Sequence, residues 1–85
     1  MIRDTTPPES EIASTDARSV LEIKFYETRS TARRLRDCIK QARRYFMRRE
    51  PQYARSHIAH AKQLHARLAA ELADVEASLD ALETE

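Results

Sequence analysis

Two heptad repeats that meet at Pro51 constrain the fold of this 85-residue chain more than any other feature. The first repeat comprises Leu21, Phe25, Thr28, Ala32, Leu35, Ile39, Ala42 and Phe46, and the second comprises Ala54, Ile58, Ala61, His65, Leu68, Leu72, Val75, Leu79 and Leu82. Spacings that alternate between four and three residues place these side chains on one helical face, as in a coiled-coil seam. Proline disfavours helix at the preceding residue and fits the first turn of a new helix. The sequence therefore predicts an all-α fold, an antiparallel two-helix coiled-coil hairpin.

The repeats also predict the boundaries of the elements. We expect a hairpin over 14–85, with a helix over about 16–49, a turn near 50–51 and a helix over about 52–83. Residues 1–13 contain two prolines and little to bury, which predicts a disordered tail. A single helix kinked at Pro51 is the alternative. The chain has no glycine, which argues against a β-sheet with tight hairpins and excludes a glycine-rich phosphate loop.

Two helices of this length bury little surface by themselves. We therefore expect the hairpin to complete a four-helix bundle as a homodimer or to accept an amphipathic helix of a partner protein. The segment around Ile23 and Tyr26 is apolar on several faces, which indicates a second contact surface.

The two edges of the predicted seam differ in character. One edge holds Lys24, Thr31, Cys38 and Tyr45 on the first helix, with His57, Leu64, Glu71 and Ser78 on the second. Near the turn this edge widens the apolar face. The predicted partner-binding residues are therefore Ile23, Tyr26, Cys38, Tyr45, His57 and Leu64.

The other edge is a row of cations, here named the basic rail, formed by Arg29, Arg36, Arg43, Arg55 and Lys62. Arginine suits bidentate contact with phosphate, so a nucleic-acid-binding hairpin is the alternative function. Charge is also graded along the chain, because residues 17–50 hold eleven basic and four acidic side chains and residues 51–85 hold three and six. A molecule polarised in this way can pack head-to-tail with a copy of itself or present its turn to an anionic partner.

The sequence offers little support for catalysis, and we expect no cofactor and no metal site. His57, His60 and His65 diverge around the helix, whereas zinc needs converging ligands. The single cysteine and the absence of a long apolar run predict a cytoplasmic protein with no membrane segment and no small-molecule substrate.

A family resemblance is carried by Arg34, Leu35, Arg43, Arg44, Arg48, Pro51, Gln52, Tyr53, Leu64 and Leu68. Over about residues 34–68 the chain resembles the hairpin of the small type III secretion needle co-chaperones, although its second helix continues well past Leu68. The resemblance implies a short cytoplasmic hairpin that helps to keep a needle subunit from polymerising. The predicted function is accordingly a non-enzymatic protein-interaction module, such as a small chaperone, adaptor or regulator.

Overall fold

The protein is a hairpin of two long helices. The computed structural model describes the backbone of residues 9–84 and the side chains of residues 16–84. Helix α1 spans Glu9–Met47 and helix α2 spans Pro51–Glu83, and the two pack against each other along their length. Lys24 contacts Ser78, which excludes a single kinked helix. The prediction of an all-α helical hairpin is confirmed.

The helix boundaries differ from the predicted ones chiefly at the start of α1. This helix begins at Glu9 rather than near residue 16, so residues 9–13 of the predicted tail are helical. The remainder of the predicted tail, 1–8, lies outside the described residues. The turn falls at 48–50 instead of 50–51, and α2 begins at Pro51, one residue ahead of its predicted start.

The turn is built without glycine. Arg49 has a positive φ of 63°, and the Glu50 N–H donates to the Tyr45 carbonyl at 2.9 Å while the Arg49 N–H donates to the Phe46 carbonyl at 3.0 Å. These two bonds form a Schellman motif. The residue that takes the left-handed conformation in this motif is usually glycine. Pro51 then opens α2, where its missing N–H removes no hydrogen bond.

The contact between the helices is rotated by one position from the predicted seam. Half of the predicted seam does face the opposite helix, namely Leu21, Thr28, Leu35, Ala42, Ala54, Ala61, Leu68, Val75 and Leu82. The other half is exposed, namely Phe25, Ala32, Ile39, Phe46, Ile58, His65, Leu72 and Leu79. Their places inside the contact are taken by the residues predicted to form the apolar edge, Lys24, Thr31, Cys38, Tyr45, His57, Leu64, Glu71 and Ser78. The predicted seam is therefore wrong in every second position.

Polar pairing across the hairpin accompanies this rotation. The Lys24 ammonium donates to Ser78 Oγ at 2.9 Å and lies 3.1 Å from the Asp74 carboxylate. The Thr28 hydroxyl donates to the Lys24 carbonyl at 2.7 Å, which satisfies a buried polar group within its own helix. Thr31, only 2% exposed, contributes a small side chain that lets the helices approach closely. Polar residues that find partners can thus occupy the contact without a large desolvation cost.

The hairpin is a single layer of helices. Its principal extents are 70 × 29 × 12 Å, and the shortest of these equals the diameter of one helix with its side chains. Each helix consequently has one neighbour, and both broad sides of the hairpin face solvent.

Candidate interaction surface

One broad side of the hairpin carries a double row of large apolar side chains. Because the helices are antiparallel and both are rotated in the same sense, their exposed rows lie on the same side. We name this surface the open face, and it consists of Phe25, Ala32, Ile39 and Phe46 on α1 and Ile58, His65, Leu72 and Leu79 on α2. Ile39 is 51% exposed, Leu72 52% and Phe46 68%. The hairpin therefore exposes an apolar stripe along one broad side.

The opposite broad side is polar, and its polar side chains contact one another across the two helices. The Cys38 thiol lies 3.5 Å from His60 Nδ1 there, and Lys24 reaches Asp74 on the same side. The heptad pattern does not predict this contact between Cys38 and His60. The two sides of the hairpin therefore differ, one offering apolar surface and the other paired polar groups.

Charged side chains border the open face along both helices. These residues, here named the rim, are Glu22, Arg29, Arg36 and Arg43 on α1 and Arg55, Lys62, Glu76 and Glu83 on α2, all of them exposed. They lie three or four positions from open-face residues, as neighbours on a helix surface do. The basic rail is the part of the rim nearer the turn, and the three glutamates lie nearer the helix ends. The ion pairs between residues 16–84 are Lys24–Asp74 and Arg67–Glu71, so neither of them uses a rim residue.

The structure separates the predicted partner-binding residues into two groups. Leu64 is 4% exposed and belongs to the core, and Cys38, Tyr45 and His57 are half-buried in the contact between the helices. These four residues hold the hairpin together, which corrects their predicted position at an outer edge. Ile23 and Tyr26 are exposed on α1, as a contact surface for a partner requires.

The end of the hairpin is fixed by an aromatic cluster centred on Tyr45. Its ring stacks on His57 with centroids 5.3 Å apart and an angle of 12°, and it lies 5.3 Å from the ring of Tyr53. The Arg48 guanidinium covers the Tyr45 ring at 5.8 Å, a cation–π distance. The cluster holds the two helices in register beside the turn.

The predicted nucleic-acid-binding residues form two separate rows. Arg29, Arg36 and Arg43 follow α1, whereas Arg55 and Lys62 follow α2 across the open face. The predicted basic rail therefore borders an apolar surface instead of forming one continuous cationic edge. A shallow hollow on the outer side of α1 adds a second cationic surface, lined by Lys40, Arg43, Arg44, Met47 and Arg48.

Two other kinds of site find no support in the part of the chain that the structure describes. Among those residues no three His, Cys, Asp or Glu side chains come together as metal ligands. Within the same residues, neither helix contains a stretch long and apolar enough to cross a membrane.

Comparison of the chain with protein-family models, with curated protein sequences and with solved structures gives no match. The resemblance to needle co-chaperones stays a prediction.

Proposed function

We propose that this protein is a non-enzymatic protein-interaction module whose open face binds an amphipathic helix, either of a partner protein or of another copy of the chain. The observation that carries the proposal is the exposure of the large apolar side chains on this face, notably Ile39, Phe46 and Leu72. Burying a side chain of this size contributes about 1.5–3 kcal/mol. The hairpin leaves that contribution unused until another helix covers the face.

The shape and chemistry of the open face suit a helix as its ligand. A ridge of apolar side chains on a third helix fits the groove between two parallel rows on adjacent helices. The rim supplies charged side chains around this groove, and such residues give selectivity among partners more than affinity. A small chaperone, adaptor or regulator acts through a surface of this kind, and the free thiol of Cys38 fits a reducing compartment such as the cytoplasm.

The test is binding of a synthetic amphipathic helix that carries leucine at the a and d positions of its heptads. Fluorescence anisotropy of the labelled peptide measures its affinity for the wild type and for Ile39→Asp and Leu72→Asp. We expect each substitution to weaken binding at least tenfold, because a carboxylate enters the apolar contact.

Ala70→Asp is the matched control for Leu72→Asp, because Ala70 is exposed on the opposite side of α2. It adds the same charge to the same helix and should leave the affinity of the peptide unchanged. Equal binding by all variants would refute the open face as the binding surface. A wild-type protein that binds no peptide and stays monomeric would refute the proposed function itself.

An alternative proposal is a nucleic-acid-binding hairpin, favoured by the exposure of all five side chains of the basic rail. Its affinity for a duplex oligonucleotide would fall steeply with salt, because each neutralised phosphate releases counterions. Arg43→Gln would lower the slope of log affinity against log salt by about one if Arg43 contacts a phosphate. Binding that does not change across a salt titration excludes this alternative.

A further inference from the structure

We infer that the occupant of the open face is a second copy of this chain. The two copies face each other in opposite directions, and the two-fold axis that relates them passes between their Ala69 residues. The inference rests on the proposed function, because it names the partner of the same surface. The resulting assembly is a four-helix bundle in which the turn of each hairpin lies beside the helix ends of the other.

The distribution of charge on the rim determines the orientation of the second copy. Four residues of the basic rail, Arg36, Arg43, Arg55 and Lys62, lie in the half near the turn, and Glu22, Glu76 and Glu83 lie in the other half together with Arg29. Two hairpins packed with their turns together would place the basic halves against each other and the acidic residues against each other. The end-for-end arrangement instead brings most of the basic residues against the acidic ones, which is the complementary choice.

The spacing of rim residues on α2 is self-complementary in this orientation. Two antiparallel copies of α2 that cross at Ala69 bring Lys62 level with Glu76 of the second copy, and Arg55 level with its Glu83. Every pair occurs twice because the axis makes the interface isologous. Ala69 itself is small and exposed, so it allows close approach of the two helices where they cross.

The apolar row of α2 follows this register to within one residue. Ile58 lies one residue from the level of Leu79 of the second copy, and His65 lies one residue from the level of its Leu72. Each contact therefore includes at least one large apolar side chain that is exposed in the isolated hairpin. The axes indicated by the charge pairs on the rim and by the apolar pairs on the open face thus agree to within one residue.

The position of α1 relative to the axis follows from the residues with which it pairs on α2. Lys24 lies level with Ser78, and Tyr45 lies level with His57, so an axis at the level of Ala69 passes α1 at Arg33. Phe25 then comes within two residues of the level of Ile39 of the second copy, and Glu22 comes within one residue of the level of its Arg43.

One kind of like-charge pair occurs, because Arg29 lies within one residue of the level of Arg36 of the second copy. Three kinds of opposite-charge pair outnumber this one, so the arrangement is favourable as a whole.

Charge reversal tests the proposed register. Lys62 and Glu76 are about 21 Å apart along the same helix and cannot pair within one chain. Sedimentation equilibrium should therefore show that Lys62→Glu alone, and Glu76→Lys alone, each raise the dissociation constant of the dimer about tenfold. The double variant restores the pair with its charges exchanged, so its dissociation constant should return to the wild-type value.

A cysteine at the axis tests the same point by a different chemistry. In a Cys38→Ser background, Ala69→Cys should form an intermolecular disulfide under mild oxidation, because two identical residues meet at a two-fold axis. Ala70→Cys in that background is the matched control and should stay monomeric on a non-reducing gel. Its side chain lies on the opposite side of α2.

The outcomes separate this inference from the proposed function. A monomer that still binds the amphipathic peptide through Leu72 overturns the second copy as occupant and leaves the open face as a site for another protein. A dimer insensitive to both charge reversals, or equal cross-linking at 69 and 70, overturns the proposed axis. A monomer that binds no peptide overturns both.

Discussion

Lys24 donates a hydrogen bond to Ser78 Oγ at 2.9 Å, from a position inside the contact between α1 and α2. The side chain of Lys24 is 28% exposed, so its ammonium reaches the edge of the contact while its methylene groups lie between the helices. This pairing fixes which face of each helix turns inward. It also leaves the larger side chains of Phe25 and Leu79 outside.

The Lys24–Ser78 hydrogen bond should be measurable as a coupling energy. A double-mutant cycle with Lys24→Met and Ser78→Ala should give about 0.5–1.5 kcal/mol, the usual net value of an intramolecular hydrogen bond. Urea unfolding followed by circular dichroism gives the free energies. The same cycle with Met47→Ala in place of Ser78→Ala is the control. A coupling that does not differ from this control would show that Lys24 does not hold Ser78.

Thr31 and Ser30 are adjacent, yet the first is buried and the second is exposed. Thr31→Lys should lower the free energy of unfolding by about 2–4 kcal/mol, because it forces a long cation into the contact. Ser30→Lys should change it by no more than about 0.5 kcal/mol. The comparison uses the urea midpoints of the two variants. Equal tolerance of lysine at both positions would instead support the seam that the heptads predicted.

The turn offers a stabilising substitution. Arg49 has a left-handed backbone conformation that glycine adopts without steric cost, so Arg49→Gly should raise the free energy of unfolding by about 0.5–1 kcal/mol. Arg48→Gly is the control, and it should be neutral or destabilising because the φ angle of Arg48 is not positive. Thermal unfolding measures the change in stability of each variant relative to the wild type. A gain in Arg48→Gly and none in Arg49→Gly would place the left-handed residue elsewhere.

The aromatic cluster predicts that Tyr45 stabilises the end of the hairpin. Tyr45→Leu removes the stack on His57 and the cation–π contact with Arg48, but it keeps most of the apolar area. The loss of unfolding free energy should be about 1–2 kcal/mol, and it should be smaller when His57 has already been changed to leucine. Additive effects of the two substitutions would show that the rings do not interact.

The helical hairpin and its turn follow from features that are local in sequence. The heptad spacing predicts two helices, and Pro51 predicts where the second begins. The inner row that includes Leu21 and Val75 is also predicted correctly, because that row belongs to both candidate seams.

Which of the two possible seams packs between the helices does not depend on local sequence, so the heptad spacing cannot predict it. Lys24 and Phe25 are consecutive, and the row of either one completes an alternation of three and four with the row of Leu21. The decision depends on partners such as Ser78, which is 54 positions away in the chain. Apolar periodicity favours the more apolar row as core, and it therefore predicts the open face to be interior.

The candidate site could be predicted only in part, for the same reason. The basic rail was identified from its charges, and all of its members are exposed. The open face was missed, although the apolar surplus around Ile23 and Tyr26 already indicated a second contact surface. Apolar periodicity by itself does not distinguish a row that packs within the chain from one that packs against another chain.

Association through the open face can be tested by the solution masses of the wild type and of Leu72→Asp, measured by sedimentation equilibrium at one concentration. We expect a dimer for the wild type, at twice the monomer mass of 9.9 kDa, and a monomer of unchanged helicity for Leu72→Asp. Equal masses for the two proteins, whether both monomeric or both dimeric, would contradict association through this face.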